Sequence, residues 1–332
     1  MKLLRIFDPF TLTLIATVLL ASFLPARGVF VDYFSWLTTA AIALLFFMHG
    51  AKLSRDALVA GGSHWRLHLW VMCSTFILFP ALGVLFAWWA PVNVSPEIYS
   101  GFLYLCILPA TVQSAIAFTS LAGGNVAAAV CSASASSLLG IFLSPLLVSL
   151  LMHTGGGASQ DGLRQVGAIM LQLLLPFVLG HLSRPWTANW VARHRKWIGK
   201  TDQTSILLVV YTAFSEAVNN GIWSQVGIGA LGFIVLVSIV LLAIVLAVNI
   251  LVARRAGFSK ADEITIVFCG SKKSLANGIP MANILFPVQA VGMMVLPLMI
   301  FHQIQLMVCA MLAQRYRRRQ LESGAIQAAQ EG

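Results

Sequence analysis

The 332-residue chain is 59% hydrophobic and only 10% charged, with a mean hydropathy of +0.87. These proportions exclude a soluble domain of this size, and continuous apolar runs of membrane length exclude a barrel, whose strands alternate. The net charge of +10 falls almost entirely in short loops between apolar runs, which points to a bilayer rather than nucleic acid as the partner surface.

In chain order, Lys2 and Arg5 precede an apolar stretch from Phe10 to Leu24, as in a signal peptide. Asp8-Pro9 interrupts that pattern and no A-x-A site follows in SFLPARG, so a retained first span is expected. Ten spans fit the hydropathy, at 9–25, 35–51, 67–90, 98–121, 125–151, 165–183, 203–221, 226–252, 263–286 and 289–313. The five cysteines (Cys73, Cys106, Cys131, Cys269, Cys309) all lie within these spans, with no CxxC or Cys/His ligand spacing. They read as small buried hydrophobes; neither a disulfide, a metal site nor a cofactor is expected.

With the N-terminus inside, seventeen of the twenty-one lysines and arginines fall in cytoplasmic segments. The outer loops hold only Arg27 and Arg164, and Lys272 and Lys273 lie within a span. This asymmetry places both termini in the cytoplasm and supports an even span count. The tail 314–332 begins with the basic RYRRR and ends in SGAIQAAQEG, which reads as disordered. The Gly-rich outer loop 153–164 separates residues 1–152 from 165–313, two five-span halves of opposite orientation. Internal similarity agrees. Asp8-Pro9-Phe10 echoes Leu175-Pro176-Phe177, and Ala110-Thr111-Val112-Gln113-Ser114 matches Gly270-Ser271-Lys272-Lys273-Ser274 by residue type. Paired interruptions in two halves mark a transport site.

The ninth span carries the strongest signal. A helix rises ~1.5 Å per residue, so Lys272 lies roughly 12 Å beyond Ile264, well inside the apolar stretch. Cations at that depth persist only against protein, water or a bound anion. Gly270, Asn277-Gly278 and Pro280 interrupt the same segment. In the fourth span, Pro109 breaks the helix and Thr111, Gln113 and Ser114 follow at once. In the fifth, CSASASS places Ser132 and Ser136 on one face at i, i+4, although close helix packing accounts for small residues equally well. The expected substrate or ion site is therefore Thr111, Gln113, Ser114, Ser132, Ser136, Ser271, Lys272, Lys273, Ser274 and Asn277, with Thr75, Glu216 and His302 as accessories. There is no P-loop, zincin motif or GxS…H arrangement, so an enzyme is not expected.

FLYLCILPATVQSA…GGN, followed by CGSKKSLANGIP, resembles the bile acid:sodium symporter family, in its divergent SBF-like branch. The resemblance implies a core domain of spans 3–5 and 8–10, with broken fourth and ninth helices crossing at midplane. A panel of spans 1, 2, 6 and 7 would rock against it. The bile-acid branch carries E-x-G-x-Q-N-S in its ninth span, which puts Phe268 at the acidic position, Lys272 at the glutamine and Lys273 at the asparagine. Its third-span glutamine falls on Thr75, and its fourth-span Ser-Asn pair lies beside Gln113-Ser114. Two ammonium groups repel Na⁺, and a lysine can serve as a built-in cation.

The expectation is a secondary transporter of a small organic anion in the bacterial inner membrane, working by alternating access and more sensitive to proton than to sodium gradients; the alternative is a sodium site that survives through Thr75, Gln113, Ser132 and backbone carbonyls. Lys273 is the expected proton carrier, because it aligns with Gln113. A non-transporting membrane sensor on the same fold is one alternative. Arsenite or sulfite efflux, favoured only by Cys106, is another.

Overall fold

A computed structural model describes residues 9–52, 64–88, 95–152, 171, 173–221 and 227–331. Lys2, Arg5, Asp8, Arg55, Arg164 and the 153–164 linker lie outside the described residues. Everything regular among the described residues is helical: α1 Pro9–Phe23, α2 Val29–Lys52, α3 Trp65–Cys73, α4 Phe79–Trp88, α5 Pro96–Ile107, α6 Val112–Leu121 and α7 Val126–Leu151 in the first part of the chain. There follow α8 Leu173–Leu182, α9 Arg184–Arg193, α10 Arg195–Asn219, α11 Ile228–Arg255, α12 Lys260–Gly270, α13 Leu275–Leu285 and α14 Val288–Glu331.

Among the described residues, five helices are long and apolar enough to cross a membrane, and the α5–α6 pair, bent by 60°, makes a sixth. Large apolar side chains such as Phe23, Trp36, Leu150 and Leu236 point outward, as lipid requires. The chain is a multi-pass helical membrane protein. Two shorter apolar helices, Leu12–Phe23 and Leu173–Leu182, accompany the longer ones.

Three features depart from the sequence reading. A π-helical turn, Ser74–Leu78, joins α3 to α4. The loop expected between the sixth and seventh spans folds into α9, with Pro185 at its start, where a missing N–H costs nothing. The tail is not disordered through Glu331. Apolar periodicity ends near residue 313, but Ala, Gln, Glu and Arg sustain helix without it, and α14 continues.

Helix starts are set by local caps. The Asn125 side chain accepts from Ala128 N at 3.1 Å, and Ser259 accepts from Asp262 N at 3.1 Å. Beyond Ser259, buried Glu263 receives Lys260 Nζ at 2.7 Å, Tyr316 Oη at 2.9 Å and Arg254 Nε at 3.4 Å. That ties α11, α12 and α14 together at one end. At the same end of the neighbouring helices, Lys52 of α2 pairs with Asp202 of α10.

By contact, α1, α2 and α9 pack on α10, while α3–α7 pack among α11–α14; α10 also reaches α13 and α14. Helices α2 and α8 meet backbone to backbone. A Cβ at Gly50 would overlap the Phe177 carbonyl, and one at Gly180 would overlap that of Phe47.

Candidate functional site at the crossing of two broken helices

The first break is Leu108–Thr111, between α5 and α6, and the second is Ser271–Ser274, between α12 and α13. They touch directly. Ser274 N donates to Pro109 O at 2.9 Å, and Thr111 Oγ1 donates to Lys273 O at 2.7 Å. Tyr104 Oη donates to Gly278 O at 2.6 Å, fastening α5 to α13.

Lys273 is fully buried at this crossing, and its ammonium donates to three main-chain carbonyls: Leu108 at 2.7 Å, Cys106 at 2.8 Å and Thr75 at 2.8 Å. An ammonium carries three N–H donors, so the set is complete. The Nζ also lies 4.2 Å from the centroid of the Phe79 ring.

Each carbonyl is free for a local reason. Thr75 lies in the π-turn, where its i+5 partner would be Pro80, which has no N–H. The natural partner of Cys106 O is Ala110 N, which instead donates to Ser136 Oγ at 3.0 Å. Leu108 O lies just past α5, at the negative end of that half-helix. Helix ends and a π-turn thus converge three oxygens on one point.

The Lys273 backbone is held just as tightly. Gln305 of α14, fully buried, accepts from Lys273 N at 3.0 Å and donates to Lys273 O at 3.0 Å. Gln305 Nε2 also meets His302 Nδ1 at 2.9 Å, and His302 lies 3.4 Å from Lys273 O. On the other side Ser74 Oγ donates to Gly270 O at 2.9 Å and accepts from Asn249 Nδ2 at 3.1 Å, whose Oδ1 receives Trp70 Nε1 at 2.9 Å. That chain ties the end of α12 to α3 and α11.

Lys272 is equally buried but differently placed. Its Nζ has Ser114 Oγ at 3.4 Å and the centroid of the Phe118 ring at 4.0 Å. Among the described residues it has no other hydrogen-bond acceptor within 3.5 Å.

The expected residues divide as follows. Thr111, Ser114, Ser136, Lys272, Lys273 and Ser274 meet at the crossing, with the Thr75 carbonyl rather than its hydroxyl, which bonds back to Val71 O at 2.8 Å. Ser274 also caps α13 through Asn277 N at 3.2 Å, and Asn277 Nδ2 reaches Ser137 Oγ at 2.9 Å. Ser271 bonds back to Val267 O at 2.6 Å, and Ser132 serves His68 Nδ1 at 2.7 Å.

Gln113 is exposed on the first turn of α6 and is not drawn in. Counted from the helix ends, the two breaks align Leu108–Thr111 with Ser271–Ser274, so Lys273 pairs with Ala110 and Gln113 with Ala276. Chain matching by residue type misses this register by three residues. Glu216 lies apart, on a cavity between α2, α10 and α13. Gln305 and the π-turn were not anticipated. A buried glutamine three residues beyond His302 was the available signal.

Two inward-held cations, two broken helices and their exact mutual capping describe a membrane transporter core. The chain belongs to the SBF-like CPA transporter family, whose model matches residues 8–318. It is 78% identical over 331 residues to the Escherichia coli (strain K12) protein named "Putative symporter YfeH", covering 100% of this chain and 98% of that one. It is 59% identical over 318 residues to the uncharacterized protein PA2026 of Pseudomonas aeruginosa, covering 96% and 95%. Sodium/bile acid cotransporter 7 of Mus musculus is more distant, 29% identical over 278 residues, covering 82% and 80%.

Proposed function

We propose that this chain is a secondary active transporter of the bacterial inner membrane in which the Lys273 ammonium stands where a coupling cation would otherwise bind. The observation that carries the reading is the cage of three carbonyls around Nζ, at 2.7–2.8 Å, with no carboxylate among its contacts. Carbonyl oxygens at unwound helix ends are the usual ligands of Na⁺ in such transporters, and a tethered ammonium saturates them without leaving.

The same geometry supports a different proton carrier. Lys273 has its donors fully engaged, whereas Lys272 has one hydroxyl at 3.4 Å and an aromatic face. Lys272 is the lysine able to change partners, and it takes the proton-carrying role that the sequence gave to Lys273. Ten spans in two inverted five-span halves, with α1, α2, α8 and α10 moving against the remainder, complete the reading. The charge tally puts both termini in the cytoplasm.

The organic anion expected from sequence needed lysines free to attract it. Both are withdrawn into the crossing, so the charge of the solute is left to the walls of the cavity that Glu216 lines.

The test is flux in proteoliposomes, with sodium and pH gradients varied separately. Transport should follow the pH gradient and ignore Na⁺. Lys273→Ala, which empties the cage, should gain thermal stabilisation by Na⁺ that the wild type lacks. Steep Na⁺ dependence of the wild type at fixed pH, with Lys273→Met still active, would overturn the tethered-cation reading.

A further inference from the structure

The cavity bounded by α2, α10, α13 and the start of α14 has a volume of about 300 Å³. It lies across the seam where α10 meets α13 and α14, distinct from the lysine crossing. Its only charged lining residues among those described are Asp32 and Glu216, both acidic. Among the described residues no lysine, arginine or histidine lines it.

Among the described residues, two buried polar atoms on its wall have no protein partner: Ser215 Oγ, on a residue 2% exposed, and Asn283 Nδ2. Such atoms cost roughly 1–3 kcal/mol each when left unpaired, so a ligand or water is needed to complete them. Nearby hydroxyls are already engaged. Thr38 and Thr212 bond each other at 2.8 Å, and Thr39 bonds back to Ser35 O at 3.0 Å.

What remains open includes carboxylate acceptors on α2 and α10, a hydroxyl on α10, an amide donor on α13 and, toward the mouth, Ser35 and the exposed Gln289 amide. Phe34, Ile42 and Ile284 supply apolar wall between them. An anion would meet two like charges here. A cation bearing an acceptor of its own would serve both the carboxylates and the Asn283 amide.

We infer that this cavity binds a small solute with a primary ammonium and a hydrogen-bond acceptor, about the size of an amino acid. Building on the transporter reading, this names the substrate class. The ammonium faces Asp32 and Glu216, and the acceptor receives the Asn283 amide. Because the residues come from both helix groups, the solute bridges the surfaces that move apart in transport.

The test uses ethanolamine as probe, with propionate as the anionic control, on full-length protein in nanodiscs by calorimetric titration. Ethanolamine should bind saturably and propionate should not. Glu216→Gln should weaken binding about tenfold or more, as should Asp32→Asn, whose exposed position leaves the fold untouched. Absence of ethanolamine binding, binding of propionate instead, or ethanolamine affinity unchanged in both variants would overturn the assignment. Flux is measured separately. A protein that binds ethanolamine but moves no solute keeps this site and loses the transporter reading; one that moves propionate does the reverse.

Discussion

The helix crossing and the acidic cavity are both polar regions inside an apolar bundle, yet they solve opposite problems. At the crossing every donor of Lys273 has an acceptor, and its backbone N–H and C=O are both taken by Gln305. At the cavity Ser215 and Asn283 keep atoms with nothing to bond. The first is a finished network, rigid because each member is satisfied. The second is a half-network whose completion must come from outside.

Substitutions can break that contrast. The largest effect is expected from Lys273→Met, which should abolish flux. It removes a buried charge but strands three carbonyls, so flux is the decisive readout and melting temperature the secondary one. Retained flux would mean the crossing is not essential. Next, Gln305→Leu leaves the N–H and C=O of Lys273 unpaired, at roughly 1–3 kcal/mol per group. Denaturation in mild detergent should register the loss, and a neutral result would refute the account of a saturated network.

Tyr104→Phe deletes one hydrogen bond, to Gly278 O at 2.6 Å. About 1 kcal/mol is expected, read as a fall of a few degrees or less in melting temperature. The smallest effect belongs to the cavity. Ser215→Ala removes a buried hydroxyl that has no partner, so without ligand the variant should be as stable as the parent or about 0.5–1 kcal/mol more so. If Ser215→Ala destabilises as much as Gln305→Leu, the two regions do not differ as described.

Much of the frame was legible from residues alone. Apolar runs located the helices, Pro109 located one break, and two lysines in a membrane-length segment located the other. The partners of Lys273 were not legible, for a plain reason: all three are main-chain oxygens, and sequence encodes side chains. Thr75 was singled out for standing where the related branch has a third-span glutamine, and it contributes its carbonyl. Ser136 was singled out as a ligand and acts by diverting Ala110 N, which frees Cys106 O. Matching the two breaks by residue type gives a register three residues away from the one that helix ends give. Gln305 lies 32 residues from the backbone it clasps, beyond any local pattern.

The seam between α2 and α8 has a mechanical consequence. With Gly50 and Gly180 in backbone contact, sliding one helix by a residue would drive a Cβ into a carbonyl. No compressible side chains cushion the joint, so the two helices travel as one beam. Strain from any rearrangement is then passed along that beam without being absorbed. Because α2 also lines the acidic cavity, through Asp32, Phe34 and Ile42, any displacement of the pair would reshape that space.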